Sequence, residues 1–321
     1  MKKGVRTIEI SDGKRYKVTG SEGGLYRVVD LADRNEISCK PRGRFRHEKM
    51  RVLVGDNVTL NVDEQGNRCI DDVLPRKNAL LRPRIANADL LFIIFSVSSP
   101  DPILLNIDKL TTIAEQNNIR PVLVLSKCEL DRDKAEELKE IYKTTGYETF
   151  ETSCETGEGV DELLSYVSEV CRDQTSVFCG SSGVGKSTLL NALFPTLSQK
   201  TQTVSEKIER GRHTTRRVDL FPLGSFIPHA TGFIADTPGF SLLDFESFDF
   251  YDLDDLPENF PEFRPYLGTC RFTKCTHRKE DGCALLDAMR KGILAPSRME
   301  SYATLYGQLK TKHSWEKPSH S

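Results

Sequence analysis

The sequence predicts a multidomain chain in three parts: a small all-β barrel, a central α/β layer with a parallel sheet, and a C-terminal helical subdomain built around a metal. Three observations carry this. Apolar and polar residues alternate on either side of Gly55-Asp56. Continuous apolar runs then take turns with amphipathic stretches. Near the C-terminus, three Cys and one His crowd into a short segment ahead of a helix-like run. The expected boundaries are 1–75, 76–245 and 246–321.

In the first part, Val52 and Val54, then Val58, Leu60 and Val62, have the period of two half-buried strands joined at Gly55-Asp56. Arg15–Val18 and Leu25–Leu31 add strands, with glycine turns at Gly20, Gly23 and Gly24. Short strands at this spacing suggest a small barrel. In the second part, Leu90–Val97 and Val122–Leu125 are apolar throughout, as in strands covered on both faces. Ile107–Gln116 reads as the helix between them. Asp133 and Glu136 read as a capping box for the next helix, which carries Leu138, Ile141 and Tyr142 and ends at Gly146. Val160, Leu163, Leu164 and Val167 mark another helix, and Ser176–Cys179 a strand. Beyond residue 245 the chain turns acidic and contains prolines. A helical stretch from Ala284 follows the Cys-rich segment.

Composition narrows the class. The 321 residues exceed one small core, and 38% hydrophobic with 29% charged residues fits a water-soluble chain. No apolar run approaches the roughly 18–20 residues that span a bilayer, and no apolar signal segment follows Met1, so the chain reads as cytoplasmic and without a membrane partner. A reducing compartment argues against a disulfide framework from the nine Cys. A net charge of -2 excludes a uniformly basic nucleic-acid binder. Locally, however, Lys40, Arg42, Arg44, Arg46, Lys49 and Arg51 lie close together, opposed in that stretch only by Glu48. They form a candidate RNA-phosphate patch, with Phe45 inside it as a candidate base-stacking ring. The bland alternative is a solvated loop.

The segment Gly180-Ser181-Ser182-Gly183-Val184-Gly185-Lys186-Ser187 matches G-x-x-x-x-G-K-[ST], between a strand and a helix that begins near Thr188. Such a loop turns backbone N–H groups toward phosphates. Lys186 would contact the β- and γ-phosphates, and Ser187 would ligate Mg²⁺. Downstream, the apolar run Phe233-Ile234-Ala235 leads into D-x-x-G at Asp236 to Gly239. Asp236 fits the Mg²⁺ shell and the Gly239 amide a γ-phosphate sensor. Between the two motifs, Gly211-Arg212-His213-Thr214-Thr215 offers Thr214 or Thr215 to complete that shell. No N-K-x-D follows. Instead, Ser126-Lys127-Cys128-Glu129 ends an upstream strand and Ser153-Cys154 ends the next. The base-reading elements thus precede the phosphate elements, an order that circular permutation permits. Separately, Cys270-x4-Cys275-x-His277-x5-Cys283 supplies a closed tetrahedral ligand set, as in a structural Zn²⁺ site.

Together these motifs resemble the circularly permuted GTPases of the ribosome small subunit-dependent GTPase A family, the YjeQ/YloQ type. The likeness rests on the Gly55-Asp56 turn, Leu81-Arg82-Pro83 with Ala86-Asn87, Gly183–Ser187, Gly211–Thr215, Asp236–Phe240 and the Cys-rich segment. It implies an OB-type RNA-binding barrel, a permuted GTPase domain and one structural Zn²⁺ on Cys270, Cys275, His277 and Cys283. It also implies Mg²⁺-dependent GTP hydrolysis in late maturation of the small ribosomal subunit, stimulated by that subunit and its rRNA, with GTP and GDP as ligands. A monomer is expected. The chain departs from the family at Ser126 and Glu129, where Asn or Thr and Asp are usual, so weakened guanine preference is expected. Phe240 follows D-x-x-G where many GTPases carry a water-orienting glutamine. His213 is therefore the candidate catalytic group. Two other readings compete: a nucleotide-gated RNA-binding module with negligible hydrolysis, and a P-loop ATPase or kinase.

Overall fold

The computed structural model describes residues 13–47, 50–62, 66–81, 84–197, 218–236 and 252–311. The chain divides into two compact units, each built from separated segments: Met1–Asp89, Cys171–Val177 and Arg210–Pro238 in the first, the remainder in the second.

The first unit holds a closed barrel. Strands β1 (Tyr16–Glu22), β2 (Leu25–Asp30), β3 (Glu36–Pro41), β4 (Asn57–Val62) and β5 (Arg68–Val73) follow one another as β1-β2-β3-β5-β4, and β4 returns to β1. Tyr16, Val18, Val28, Leu60 and Ile70 fill it. A one-turn helix α1 (Arg44–His47) contributes Phe45 to the same core. Three local expectations are corrected. Gly20 lies inside β1, where the register with β2 shifts, and only Gly23 and Gly24 form the turn. Val62 is exposed and Asn61 buried, because alternation ends near the register shift between β4 and β5. Val52–Val54 is no strand: among the described residues it makes a single bridge, Val54 to Ile85.

That segment is held by a side chain instead. The wholly buried Asp56 carboxylate accepts the Leu53 amide at 2.7 Å and the Arg76 guanidinium at 2.7 and 2.8 Å. Gly55 beside it has φ +89°, and a Cβ there would stand 2.1 Å from the Ala86 carbonyl oxygen, so only glycine fits. The short hairpin β6 (Ala79–Leu81) and β7 (Arg84–Ala86) follows. The start of β11 (Thr175–Gly180), with β13 (Phe233–Asp236) and β12 (Asp219–Pro222), gives this unit strand order β11-β13-β12. Arg27 on β2 donates to Asp219 on β12.

The second unit carries the order β10-β9-β8-β11, with β8 (Leu90–Ser96), β9 (Arg120–Ser126) and β10 (Glu148–Glu151) parallel. Every residue of β8 is buried, as its unbroken apolar run requires. The connecting helices are α2 (Leu104–Gln116), α3 (Arg132–Tyr142) and α4 (Val160–Val170), and α5 (Lys186–Leu193) follows β11. The start of α3 differs from expectation. Its N-cap is Asp131, whose extended backbone lets the carboxylate accept the Lys134 amide at 2.9 Å, while Asp133 falls in the first turn. Gly146, left-handed at φ +75°, ends the 3-10 turn that extends this helix.

Helices α6 (Ala284–Arg290) and α7 (Pro296–Thr311) complete this unit. Their core joins Leu256, Phe260, Phe263, Leu285, Met299 and Tyr302. On α7, Arg298 is 1% exposed and bonds Asp108 of α2 at 2.5 Å and Glu262 at 2.6 Å. Tyr142 of α3 donates to the same Asp108 at 2.9 Å. One buried cation thus serves two buried carboxylates. Removing it strands both, so Arg298→Ala should cost about 3–5 kcal/mol, measured as a lower denaturation midpoint. A variant with unchanged midpoint would show that these charges are already compensated elsewhere.

Candidate nucleotide site and metal centre

Strand β11 ends at the buried Gly180, and the chain then turns through Ser181–Gly185 into α5. Gly183 and Gly185 have φ +83° and +87°, the left-handed conformation that lets a loop present successive amides to an anion. Lys186 opens α5, and Ser187 and Thr188 are exposed on its first turn. Val184 packs inward, 3% exposed.

The loop after β9 is bound to this one. The Ser126 hydroxyl donates to the Val184 carbonyl at 2.6 Å, and the Lys127 ammonium donates to the Gly183 carbonyl at 2.8 Å and to the Ser99 carbonyl. Lys127 itself is left-handed, φ +59°. Its Cε would lie 3.8 Å from a Cβ placed on Gly185, so its stem runs along the glycine. Ser126 therefore acts through the phosphate loop, its one proton already donated to Val184. Cys128 faces the core: its thiol lies 3.6 Å from the Leu125 carbonyl and burial pushes it up to about 11, so the side chain is turned away from a ligand. The Cys128 amide donates to the Thr152 carbonyl at 3.2 Å, which joins the β9 and β10 loops.

Glu129 differs. Its Oε2 is buried and has no hydrogen-bond partner among the described residues. Cys154 is exposed as a residue, but partial desolvation of its thiol, and then the Glu129 charge, raise it. Ser153 is buried, and its hydroxyl accepts the Thr156 amide at 3.1 Å, which shapes the β10 loop. An orphaned carboxylate oxygen beside the lysine that spans both loops suits a ligand with N–H donors. Asp236 closes β13 in the first unit. His213, Thr214, Thr215 and Gly239 lie outside the described residues. Sequence reasoning missed the carbonyl of Ser99, a backbone contact that no residue type signals.

The second cluster is Cys270, Cys275, His277 and Cys283, whose ligand atoms all lie within 4.8 Å of one another. Cys270 Sγ and Cys283 Sγ stand 3.4 and 3.5 Å from His277 Nδ1. A tetrahedron with bonds of about 2.0–2.3 Å has edges of roughly 3.5–3.8 Å, so this set fits one four-coordinate metal ion. Burial pushes the Cys275 thiol up to about 12 and lowers His277, which Glu280 partly offsets. A bound cation would reverse the first effect and suits the neutral imidazole left by the second. The Ala284 amide at the start of α6 points to Cys270 Sγ at 3.3 Å. Burial opposes ionisation of Glu280, but the Thr276 hydroxyl and the amides of Lys279 and Thr276 hold its carboxyl down to about 2. Lys274, Arg278 and Lys279 are cations close in sequence to these ligands. Arg278 lies over the Tyr306 ring, 4.1 Å from its centroid.

The basic patch is only partly free. Lys40 and Arg51 are exposed. Arg42 pairs with Asp71 at 2.8 Å, and Arg44 lies 3.6 Å from Asp72, so β5 supplies opposing charge that the local sequence lacks. Phe45 is 4% exposed, which corrects its expected role as a stacking ring. Arg46 lies in α1, and Lys49 is outside the described residues.

A parallel α/β core with a phosphate loop, whose base-side loops come earlier in the chain, defines a circularly permuted P-loop GTPase. The sequence profile described as "RsgA GTPase" matches residues 73–246, and that described as "RsgA N-terminal domain" matches residues 17–70. The chain belongs to the RsgA GTPase family. The small ribosomal subunit biogenesis GTPase RsgA of Alkaliphilus metalliredigens is 40% identical over 94% of this chain and 98% of its own. That of Geobacillus thermodenitrificans is 40% identical over 90% and 95%. Among solved structures, YjeQ from Thermotoga maritima aligns with TM-score 0.75 at 32% identity, over 94% of this chain and 99% of that one. YloQ, a circularly permuted GTPase, aligns with TM-score 0.72 at 30% identity, over 96% and 98%.

The Ser126 contact gives a direct expectation. Ser126→Ala leaves the Val184 carbonyl unpaired and frees the loop, which should weaken GDP binding about 2–10-fold, one neutral hydrogen bond's worth. Titration with a fluorescent GDP analogue reads this. Unchanged affinity would mean that the loop holds its shape without the tether.

Proposed function

We propose that this GTPase acts in late maturation of the small ribosomal subunit, and that binding this subunit and its rRNA stimulates its turnover. The observation that carries the reading is the Lys127 bridge from the base-side loop to the Gly183 carbonyl, within a chain whose relatives, matched nearly end to end, are named for small-subunit biogenesis. Nucleotide contacts would come from the 126–129 and 153–154 loops, the loop 180–188 and Gly239. Glu129 would accept the guanine N1–H and exocyclic amine through its unpartnered oxygen. Lys186 would neutralise the β- and γ-phosphates. Mg²⁺, on Ser187 with Asp236 and Thr214 or Thr215, supplies further charge neutralisation there.

Phe240 has no group to orient water, so hydrolysis alone would be slow, and His213 would complete the site on binding of the subunit. The barrel would meet rRNA phosphates through Lys40, Arg44, Arg46, Lys49 and Arg51, with Arg42 less available because Asp71 already holds it. In this reading residues 1–75 bind RNA, 76–245 hydrolyse GTP and 246–321 are held by one structural Zn²⁺. No helix of the described residues is long and apolar enough to cross a membrane; in this reading the chain works in the cytoplasm as a monomer.

Phosphate release from GTP, measured with and without small ribosomal subunits and beside ATP, tests this. Stimulation confined to GTP is expected. Equal rates with and without subunits would leave a nucleotide-gated binding module as the better reading, and equal use of ATP would remove guanine recognition by Glu129. His213→Ala should keep GTP affinity and lose about 10²–10⁴-fold of stimulated turnover. An unchanged stimulated rate dismisses that role. Elemental analysis should find one zinc per chain, and its removal by a strong chelator should make residues 252–311 protease-sensitive. Zinc-free protein with full resistance would rule out the structural metal.

A further inference from the structure

A cavity of 190 Å³ opens in the first unit, lined by Lys17, Arg34, Lys77, Asp89, Asp173 and Phe233 among others. None of these belongs to the nucleotide or metal elements above. Lys17, on β1, is 8% exposed. Among the described residues its ammonium reaches only the Thr175 hydroxyl at 3.4 Å and the Gly55 carbonyl at 3.5 Å, both beyond the usual N–H···O range. It stands 5.7 Å from the centroid of the Phe233 ring, and the Arg34 guanidinium stands 5.5 Å from the same centroid.

The acidic groups of the cavity face cations other than Lys17. Asp89 takes Lys77 at 2.7 Å on one oxygen and the Thr175 amide at 2.9 Å on the other. Asp173 reaches Arg34 only at 4.0 Å, with its side chain 82% exposed. Among the described residues, no carboxylate touches Lys17. A cation nine-tenths buried, with three donors and two long contacts to neutral oxygens, has no anionic partner among the described residues. Burial accordingly pushes its amine down to about 8, against the pull of Asp89.

We propose that this cavity binds a small oxyanion of phosphate size, held by Lys17 and Arg34 with Lys77 at its margin. Such an anion supplies the missing negative charge and a third, closer acceptor, and it separates two cations that share one aromatic ring. Its source is either free phosphate or a phosphate group of an RNA chain, which offer the same oxygens.

The test uses the full chain saturated with a non-hydrolysable GTP analogue, so that the phosphate loop is filled through its γ position. Lysines are reductively methylated with formaldehyde and mapped by mass spectrometry. Inorganic phosphate at ten times its dissociation constant should slow labelling of Lys17 roughly tenfold relative to chloride of equal ionic strength. Arg34→Gln should shift the protecting concentration upward by about tenfold. Lys17→Met should remove one bound phosphate in equilibrium dialysis, with affinity for the GTP analogue unchanged as evidence of folding. A short unstructured oligoribonucleotide forms the second arm. Protection by inorganic phosphate alone identifies a free anion, and protection by the oligonucleotide at lower phosphate concentration identifies an RNA phosphate. Labelling of Lys17 unaffected by both overturns the proposal. So does equal protection in Arg34→Gln, the arm that decides if Lys17→Met does not fold.

Discussion

A loop that aims its amides at a phosphate must turn carbonyls the other way, and those carbonyls need donors. Here two successive carbonyls, Gly183 and Val184, receive them from two successive residues, Lys127 and Ser126. Much of the second unit's architecture serves this pairing. β9 sits one strand away from β11 across β8, so its C-terminal loop comes level with the phosphate loop. Lys127 takes a left-handed backbone to reach over, and Gly185 has no side chain to obstruct its stem. Because these are contacts in space, their order along the chain is free, and a permuted sequence preserves them.

The same unit shows how the metal loop is tied to the nucleotide core. Tyr302 on α7 donates to the Thr276 carbonyl at 3.0 Å, within the Cys-rich loop. One helical turn earlier, Arg298 reaches Asp108 on α2. α2 begins just after Ser99, whose carbonyl accepts Lys127. Hydrogen bonds and packed helices therefore run from the metal ligands to the base-side loop. The aromatic cluster of Phe260, Phe263 and Tyr302, with rings stacked at 4.8 Å and edge-on at 5.4 and 5.7 Å, fills the space between them. Arg298 also lies over Phe260, 4.6 Å from its centroid, so burial of the charge is offset on more than one side.

Strands covered on both faces were legible because nothing polar interrupts Leu90–Phe95 or Val122–Leu125. The phosphate loop was legible because Gly180, Gly185, Lys186 and Ser187 at that spacing suit an anion and little else. What escaped was pairing between distant residues. Arg42 meets Asp71 across 29 positions, so a patch that reads as unopposed along the sequence is partly neutralised in the barrel. Phe45 reads as a surface ring in a basic run, yet a single helical turn rotates it into the core. The capping residue of α3 was displaced because Asp131 and Asp133 are equally good acids, and backbone conformation alone chooses between them. Val52–Val54 kept the period of a strand while being held by the Asp56 carboxylate, a substitute for sheet pairing that alternation cannot reveal.

The departure at Ser126 and Glu129 becomes physically coherent when the two residues are taken together. An asparagine side chain has an amide with which to bond the phosphate loop and still face a base. Serine has one proton, and Val184 receives it. In the proposed site the burden of choosing a base therefore falls on Glu129, whose buried oxygen lacks any described donor. Guanine offers two adjacent N–H groups to such a carboxylate. Adenine places a ring acceptor where guanine has N1–H, so the buried oxygen would be left unpaired against a lone pair. Discrimination of this kind rests as much on the penalty for the wrong base as on attraction for the right one. The added methylene of glutamate relative to aspartate alters where that carboxylate sits without altering its sign, so selectivity would soften before it disappears.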